Sequence, residues 1–150
     1  NDIHVNEQKL AGLLVEIKGE AEGPVKTVIG IGLNVDLPRD LSEQIEQPVT
    51  DLSKNVTGNL PLRNDIAIIL IEQLSLAVRK FSESGMNDFI QRWKQYVAYL
   101  DLPVSIKNAA SQVEGIYRGL DVTGGLLLEN HQGISVYNAG EVSMRSGPGS

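Results

Sequence analysis

The chain has 150 residues, 41% hydrophobic and 21% charged, enough to bury a core of one domain or one and a half. No apolar run reaches the ~18 residues a membrane span needs, and the polar opening Asn1 to Glu7 is not a signal peptide. Cysteine is absent, which excludes disulfide frameworks and fits a reducing cytoplasm; a net charge of −6 argues against a general nucleic-acid surface.

The first segment reads as a hairpin. Lys9 to Lys18 forms one strand, "GEAEGP" supplies the turn, and Val25 to Val35 forms the second. Both are almost continuously apolar, which predicts cover on both faces. From Asp36 to Leu62 the pattern dissolves into Pro, Asp, Ser, Asn and Gly, interrupted by a short helical pattern in "LSEQIEQ". A loop of that length in a compact domain is more often functional or mobile than filler.

Helical periodicity follows. Asn64 or Asp65 can cap a helix whose apolar stripe runs Ile66, Ile69, Leu70, Leu74, Ala77, Val78 and Phe81, and Gly85 ends it. A second helix starts at Asn87 or Asp88 and continues through Phe89, Ile90, Trp93, Val97 and Leu100. Both stripes predict packing against the sheet. Beyond Pro103 the stretches "PVSIKN", "QVEGIYRGLD", "GGLLLEN" and "GISVYNAGEVSMR" read as short strands of a small β-barrel or sandwich, so a boundary falls near Asp101. The final "SGPGS" reads as a cloning scar or linker.

Three groups of residues could carry chemistry. Asn1 and Asp2 with Lys9 and Gly12 could hold a hydrated Mg²⁺ and neutralise a phosphate or carboxylate, although polar residues flanking a strand give the same pattern. Gly12 inside a strand implies close approach of another group to the backbone. "GIGLN", Gly30 to Asn34, ends a strand with a G-x-G, but no helix follows with the last glycine of a dinucleotide fingerprint. It leaves a strand on which a flat ligand could lie, with Asn34 at its end. Glu141 and Arg145, four apart on a strand, share a face and could equally be a surface ion pair. His4 and His131 are isolated, and no G-x-S-x-G elbow occurs. From the residues alone the chain is a soluble α+β protein with a small β appendage and a candidate anion site.

Together, "NDI…KLAGLLVE", "VIGIGLNV", "RGLDVTGGLLLE" and "GEVSMR" resemble the second half of a bacterial biotin protein ligase. They occur in the family's order and cover Asn1 to about Arg145. The resemblance implies an α+β fold. A mixed sheet with packed helices, part of a class II synthetase-like catalytic core, spans residues 1–101. A small Src-homology-3-like barrel spans 102–145, and 146–150 is the scar.

The resemblance further implies ATP-dependent activation of biotin to biotinyl-5′-adenylate. Biotin then passes to a lysine of the biotin carboxyl carrier protein of acetyl-CoA carboxylase, with Mg²⁺ assisting. Lys9 matches the family's lysine that contacts the biotin carboxylate and adenylate phosphate. Gly12 and Leu14 match the biotin pocket, and Gly30, Leu33 and Asn34 match ligand-facing residues of the second strand. Asn1 and Asp2 match the end of the Lys-Trp-Pro-Asn-Asp motif beside the phosphates, with Asp2 toward Mg²⁺. Glu141 and Arg145 match barrel residues that reach toward the nucleotide side or the carrier.

Two departures stand out. Val49 occupies the place where some relatives carry a tryptophan against the adenine. The sequence also begins inside the Lys-Trp-Pro-Asn-Asp motif and contains no "GRGRxGR" run and no helix-turn-helix. The chain alone is therefore expected to lack ligase activity and to need the family's N-terminal half as a partner. DNA binding is not supported, and homodimerisation stays open. Two alternatives are a non-enzymatic interaction module and a lipoate-ligase relative.

Overall fold

The computed structural model describes residues 1–19, 25–107, 112–138 and 143–146, the last of these by backbone only. It divides into two compact units, Asn1–Leu70 and Ile71–Ser150.

In the first unit, β1 (Asp2–Val5), β2 (Gln8–Lys18) and β3 (Lys26–Leu33) form a sheet in the order β1-β2-β3. Adjacent strands are antiparallel. Asn6 and Glu7 connect β1 to β2 with φ of 49° and 64°. Two successive left-handed residues are what a tight hairpin loop needs to match the strand twist. A parallel bridge from Lys9 to Val49 makes the sheet mixed, in line with expectation. β1 is an addition to the expected hairpin. Its apolar residues, Ile3 and Val5, are too few to stand out from the polar opening.

The expected cover on both faces of the hairpin is not found. Leu14 is 62%, Ile17 69% and Val28 55% exposed. One face carries Ile31 and Leu33, which with Val35 line a shallow groove shared with Arg63, Ile66, Ala67 and Leu70. The opposite face has no covering element among the described residues. The expected turn "GEAEGP" lies mostly outside them.

The long loop holds two short helices. α1 (Arg39–Gln44) begins earlier than the "LSEQIEQ" pattern and stops before its end. α2 (Leu52–Asn55) is N-capped by Asp51, whose carboxylate accepts from the Lys54 N–H. Capping by Asp satisfies a helix-end donor that has no partner within the helix.

α3 (Arg63–Ser84) matches the expected helix, and Gly85 with φ 64° follows its last residue. Packing along the expected stripe is only partial. Ile66, Leu70, Leu74 and Ala77 are half-buried, whereas Ile69, Val78 and Phe81 are exposed. The run Ile66–Ile71 is apolar around the whole helix, more than one neighbouring face can cover.

In the second unit, α4 (Asn87–Trp93) ends well before the expected Leu100. Beyond Trp93 the Tyr96 and Val97 N–H groups both donate to its carbonyl, and Tyr99 and Asp101 turn the chain with positive φ. Neither Asn87 nor Asp88 is the cap. Met86 holds that place without a side-chain bond, and Asp88 instead accepts from Ser84 Oγ.

The strands that follow are β4 (Pro103–Lys107), β5 (Gln112–Leu120), β6 (Leu126–Asn130), β7 (Gly133–Tyr137) and β8 (Ser143–Ser146). They pair antiparallel in the order β7-β6-β5-β4-β8, the expected small β element. Its core is Val104, Ile106, Tyr117 and Leu128, with Trp93 and Val97 packed against it. The Trp93 and Tyr117 rings meet edge-on at 86° with centroids 6.1 Å apart, a favoured aromatic geometry. Gly115 on β5 allows the sheet to close tightly, since a Cβ there would lie 2.5 Å from the Glu129 carbonyl oxygen.

Candidate functional site

Lys9 and Gly12 are three apart on one strand, so regular alternation would send them to opposite faces. A β-bulge brings them together. Asp2 pairs with Gly12 and Ile3 with Ala11, but His4 pairs with Lys9, so Leu10 is left without an opposite residue. The extra residue re-aims the side chain before it. Lys9 Cε consequently comes within 3.4 Å of where a Gly12 Cβ would be, as does Asp2 Oδ1. Lys9 Nζ and Asp2 Oδ1 form an ion pair at 2.9 Å, with 27% and 33% of the side chains exposed.

Beside this pair lies bare backbone. Gly12 is opposite Gly32, and Leu14 is opposite Gly30. Directly opposed residues share a face, so Gly12, Gly30 and Gly32 form a floor without side chains between Leu14 and the Lys9–Asp2 pair. Packing within the chain does not demand these glycines. A Cβ at Gly12 would find nothing nearer than 3.4 Å, at Gly30 nothing nearer than 3.7 Å, and at Gly32 nothing nearer than 3.8 Å.

Leu33 and Asn34 stand elsewhere. Leu33 is opposite Ala11, on the other side of the sheet from Gly30 and Gly32, and lines the groove with Ile66 and Leu70. The Asn34 amide donates to the Lys9 carbonyl at 3.3 Å and the Thr50 carbonyl at 3.0 Å. Its nitrogen ties β2 to the segment at Thr50. The Lys9 N–H also donates to the Pro48 carbonyl at 2.9 Å, and the Thr50 N–H to the Lys9 carbonyl at 3.0 Å.

Next to Thr50 is Asp51, fully buried and charged. Lys54 Nζ lies 2.8 Å from Asp51 Oδ2, and the carboxylate also accepts from Ser53 Oγ and the Lys54 and Leu37 N–H groups. Burial alone would raise its pKa. The hydrogen bonds from Lys54, Ser53 and the two backbone donors outweigh it and hold the carboxyl at about 2.

Asn1 continues the ladder through its carbonyl, which accepts from the Leu13 N–H at 2.8 Å. Glu141 lies outside the described residues, and of Arg145 only the backbone is described, paired with Ser105. Among the described residues no cluster of three or more His, Cys, Asp or Glu could hold a metal ion. Asp2 stands as a single carboxylate. Gly32, Thr50 and Asp51 were not among the expected site residues. The G-x-G pattern pointed to Gly32, but nothing local in "PVTDLSKN" announces that Thr50 and Asp51 return to Lys9.

No family model matches the chain. Individual proteins do. The bifunctional ligase/repressor BirA of Salmonella typhimurium is 35% identical over 146 residues, covering 97% of this chain and 45% of that protein. The chain is homologous to the C-terminal part of the biotin protein ligases. BirA of Escherichia coli is 33% identical with the same coverage. The biotin–[acetyl-CoA-carboxylase] ligase of Paracoccus denitrificans is 25% identical over 95% of this chain and 60% of its own length.

Among solved structures, the biotin protein ligase from Aquifex aeolicus in complex with biotin and ATP superposes with a TM-score of 0.82 at 28% identity. It is matched over 98% of this chain and 60% of that one. Its apo structure gives the same TM-score. The sequence thus spans about half the length of the curated BirA relatives it matches, 45% of each.

Proposed function

We propose that this chain is part of a biotin protein ligase and forms one wall of its biotin-adenylate site. The observation that carries the reading is the glycine floor beside Lys9, left open although the chain itself has room for side chains there. An open, side-chain-free strand surface with a cation at its rim suits a flat bicyclic ligand that ends in a carboxylate.

In the reaction, a biotin carboxylate oxygen attacks the α-phosphorus of ATP, the bond to the β-phosphate oxygen breaks, and pyrophosphate leaves. The lysine amine of a biotin carboxyl carrier domain then attacks the carbonyl carbon, and AMP leaves. Both steps bring anions together and build charge on oxygen. Lys9 is the catalytic residue here, holding the carboxylate and then the phosphate, and its charge acts most strongly where water is excluded. Anion binding takes Lys9 from its pairing with Asp2. The freed Asp2 carboxylate can give one oxygen to Mg²⁺, whose other ligands would be phosphates and water, and the ion would offset phosphate charge.

The carrier protein is the macromolecular partner in this reading, and the cytoplasm is the compartment. Because the chain spans less than half of the BirA relatives, the other contacts to biotin and ATP come from residues outside it. The test is biotin-dependent exchange of pyrophosphate into ATP by the complete protein. Exchange that falls about a hundredfold in Lys9→Ala supports the reading, and a complete protein with no exchange overturns it.

A further inference from the structure

We infer that Asp51 is a positioning residue for Lys9, holding the chain that returns after β3 against the lysine's own backbone. The inference rests on the ligase reading only for its kinetic consequence. Both backbone polar groups of Lys9 are satisfied from across the loop. Its N–H goes to Pro48, and its carbonyl accepts from Thr50 and from Asn34 Nδ2. Lys9 is paired with His4 of β1, but its N–H and carbonyl bond on its other edge, to residues 48–50 and Asn34. The direction of the Lys9 side chain therefore depends on where residues 48–50 sit.

Those residues are held by Asp51. Its carboxylate reaches the Leu37 N–H at the loop's start and the Lys54 N–H at its end. Around it, the Leu52 N–H donates to the Asn34 carbonyl at 2.9 Å and the Ser53 N–H to the Val35 carbonyl at 3.0 Å. Asn55 Nδ2 donates to Thr50 Oγ1 at 2.8 Å and to the Asp51 carbonyl at 2.7 Å. One buried anion thus closes the neck of the loop, and the closed neck is what bonds to Lys9. A helix cap needs only one acceptor oxygen and can sit at the surface. Full burial with four polar contacts to the carboxylate is more than capping requires.

The test uses the complete protein and two readouts. In Asp51→Ala, amide hydrogen exchange at Lys9 and Thr50 speeds up by at least about tenfold, while Ile106 and Leu128 in the barrel are unchanged. In the biotin-dependent exchange reaction, Asp51→Ala lowers kcat/KM by about tenfold in the wild-type background and by less than about twofold in Lys9→Ala. A residue that merely stabilises the fold would cost the same in both backgrounds. Should Asp51→Ala fail to fold, Asp51→Asn keeps the shape and one acceptor oxygen but removes the charge, and carries the same comparison. Unchanged exchange at Lys9 and Thr50, or equal kinetic losses in the two backgrounds, overturns the inference. A wild-type protein without pyrophosphate exchange overturns the ligase reading instead, and the amide-exchange result still decides the clamp.

Discussion

Lys9 Nζ sits 2.9 Å from Asp2 Oδ1 directly over Gly12, although Lys9 and Gly12 would point apart on a regular strand. The bulge at Leu10 creates that relationship, and the charge at the rim of the glycine floor depends on it. A partly exposed pair of this kind contributes little to stability, about 0–1 kcal/mol. Lys9→Ala should accordingly leave the unfolding temperature of the complete protein nearly unchanged and lower adenylate formation by about a hundredfold. Pyrophosphate exchange beside thermal unfolding measures both. A lysine held only for stability would show the opposite pattern.

Two glycine substitutions should separate function from fold. Gly12→Ala adds a Cβ at ordinary contact distance, 3.4 Å from its neighbours, so stability should stay within about 0.5 kcal/mol of wild type while biotin affinity falls. Gly115→Ala puts a Cβ 2.5 Å from the Glu129 carbonyl and 2.8 Å from Leu128 Cγ, so it should destabilise by about 1–3 kcal/mol or more. Calorimetric titration with biotin and urea unfolding of the complete protein distinguish the two.

These contrasts bear on what could be read from residues alone. The helices, the barrel strands and the G-x-G strand were legible because their period or turn chemistry is local. "DVTGG" is an example. Asp121 Oδ1 accepts from the Thr123 N–H and the Gly125 N–H, each at 2.8 Å, the kind of turn that Asp favours. The bulge at Leu10 was not legible, because nothing in "QKLAG" marks which strand carries the extra residue. Leu33 was grouped with Gly30 because both follow the same motif, yet they are three apart, so strand alternation puts them on opposite faces. The amide nitrogen of Asn34, a residue expected at the ligand, ties Lys9 to Thr50. Such a contact joins residues 25 apart in sequence, which no local pattern encodes.

The end of α4 at Trp93 follows the same logic. Its apolar period continues through Val97, but Tyr99 and Asp101 adopt left-handed conformations that a helix cannot contain. Packing of Trp93 and Val97 on the core of the second unit satisfies the same apolar residues without a continuous helix.

Acid should loosen the loop neck. The Asp51 carboxyl is held at about 2 in the folded protein, below its ordinary 3.8, so the unfolded chain takes up a proton first as pH falls. The stabilisation is complete above about pH 4 and is lost progressively toward pH 2, on the order of 2 kcal/mol in all. Urea midpoints of wild type and Asp51→Asn should therefore differ at pH 6 and draw together near pH 2. A difference that does not change with pH would contradict the assignment.

Truncation in the second unit tests its core. Leu128 is fully buried among Val104, Ile106 and Tyr117, so Leu128→Ala should cost about 2–5 kcal/mol. Leu14→Ala, at a residue 62% exposed, should cost less than about 0.5 kcal/mol. Urea unfolding of the two variants in the complete protein checks the contrast.

The most direct test of the central claim is the affinity of the complete protein for a non-hydrolysable biotinyl-adenylate analogue, measured by calorimetric titration for wild type, Lys9→Ala and Gly12→Ala. The account predicts binding to wild type and a loss of at least about tenfold in each variant, corresponding to 1.4 kcal/mol or more. Equal affinity in all three proteins, with their folds intact, would contradict it.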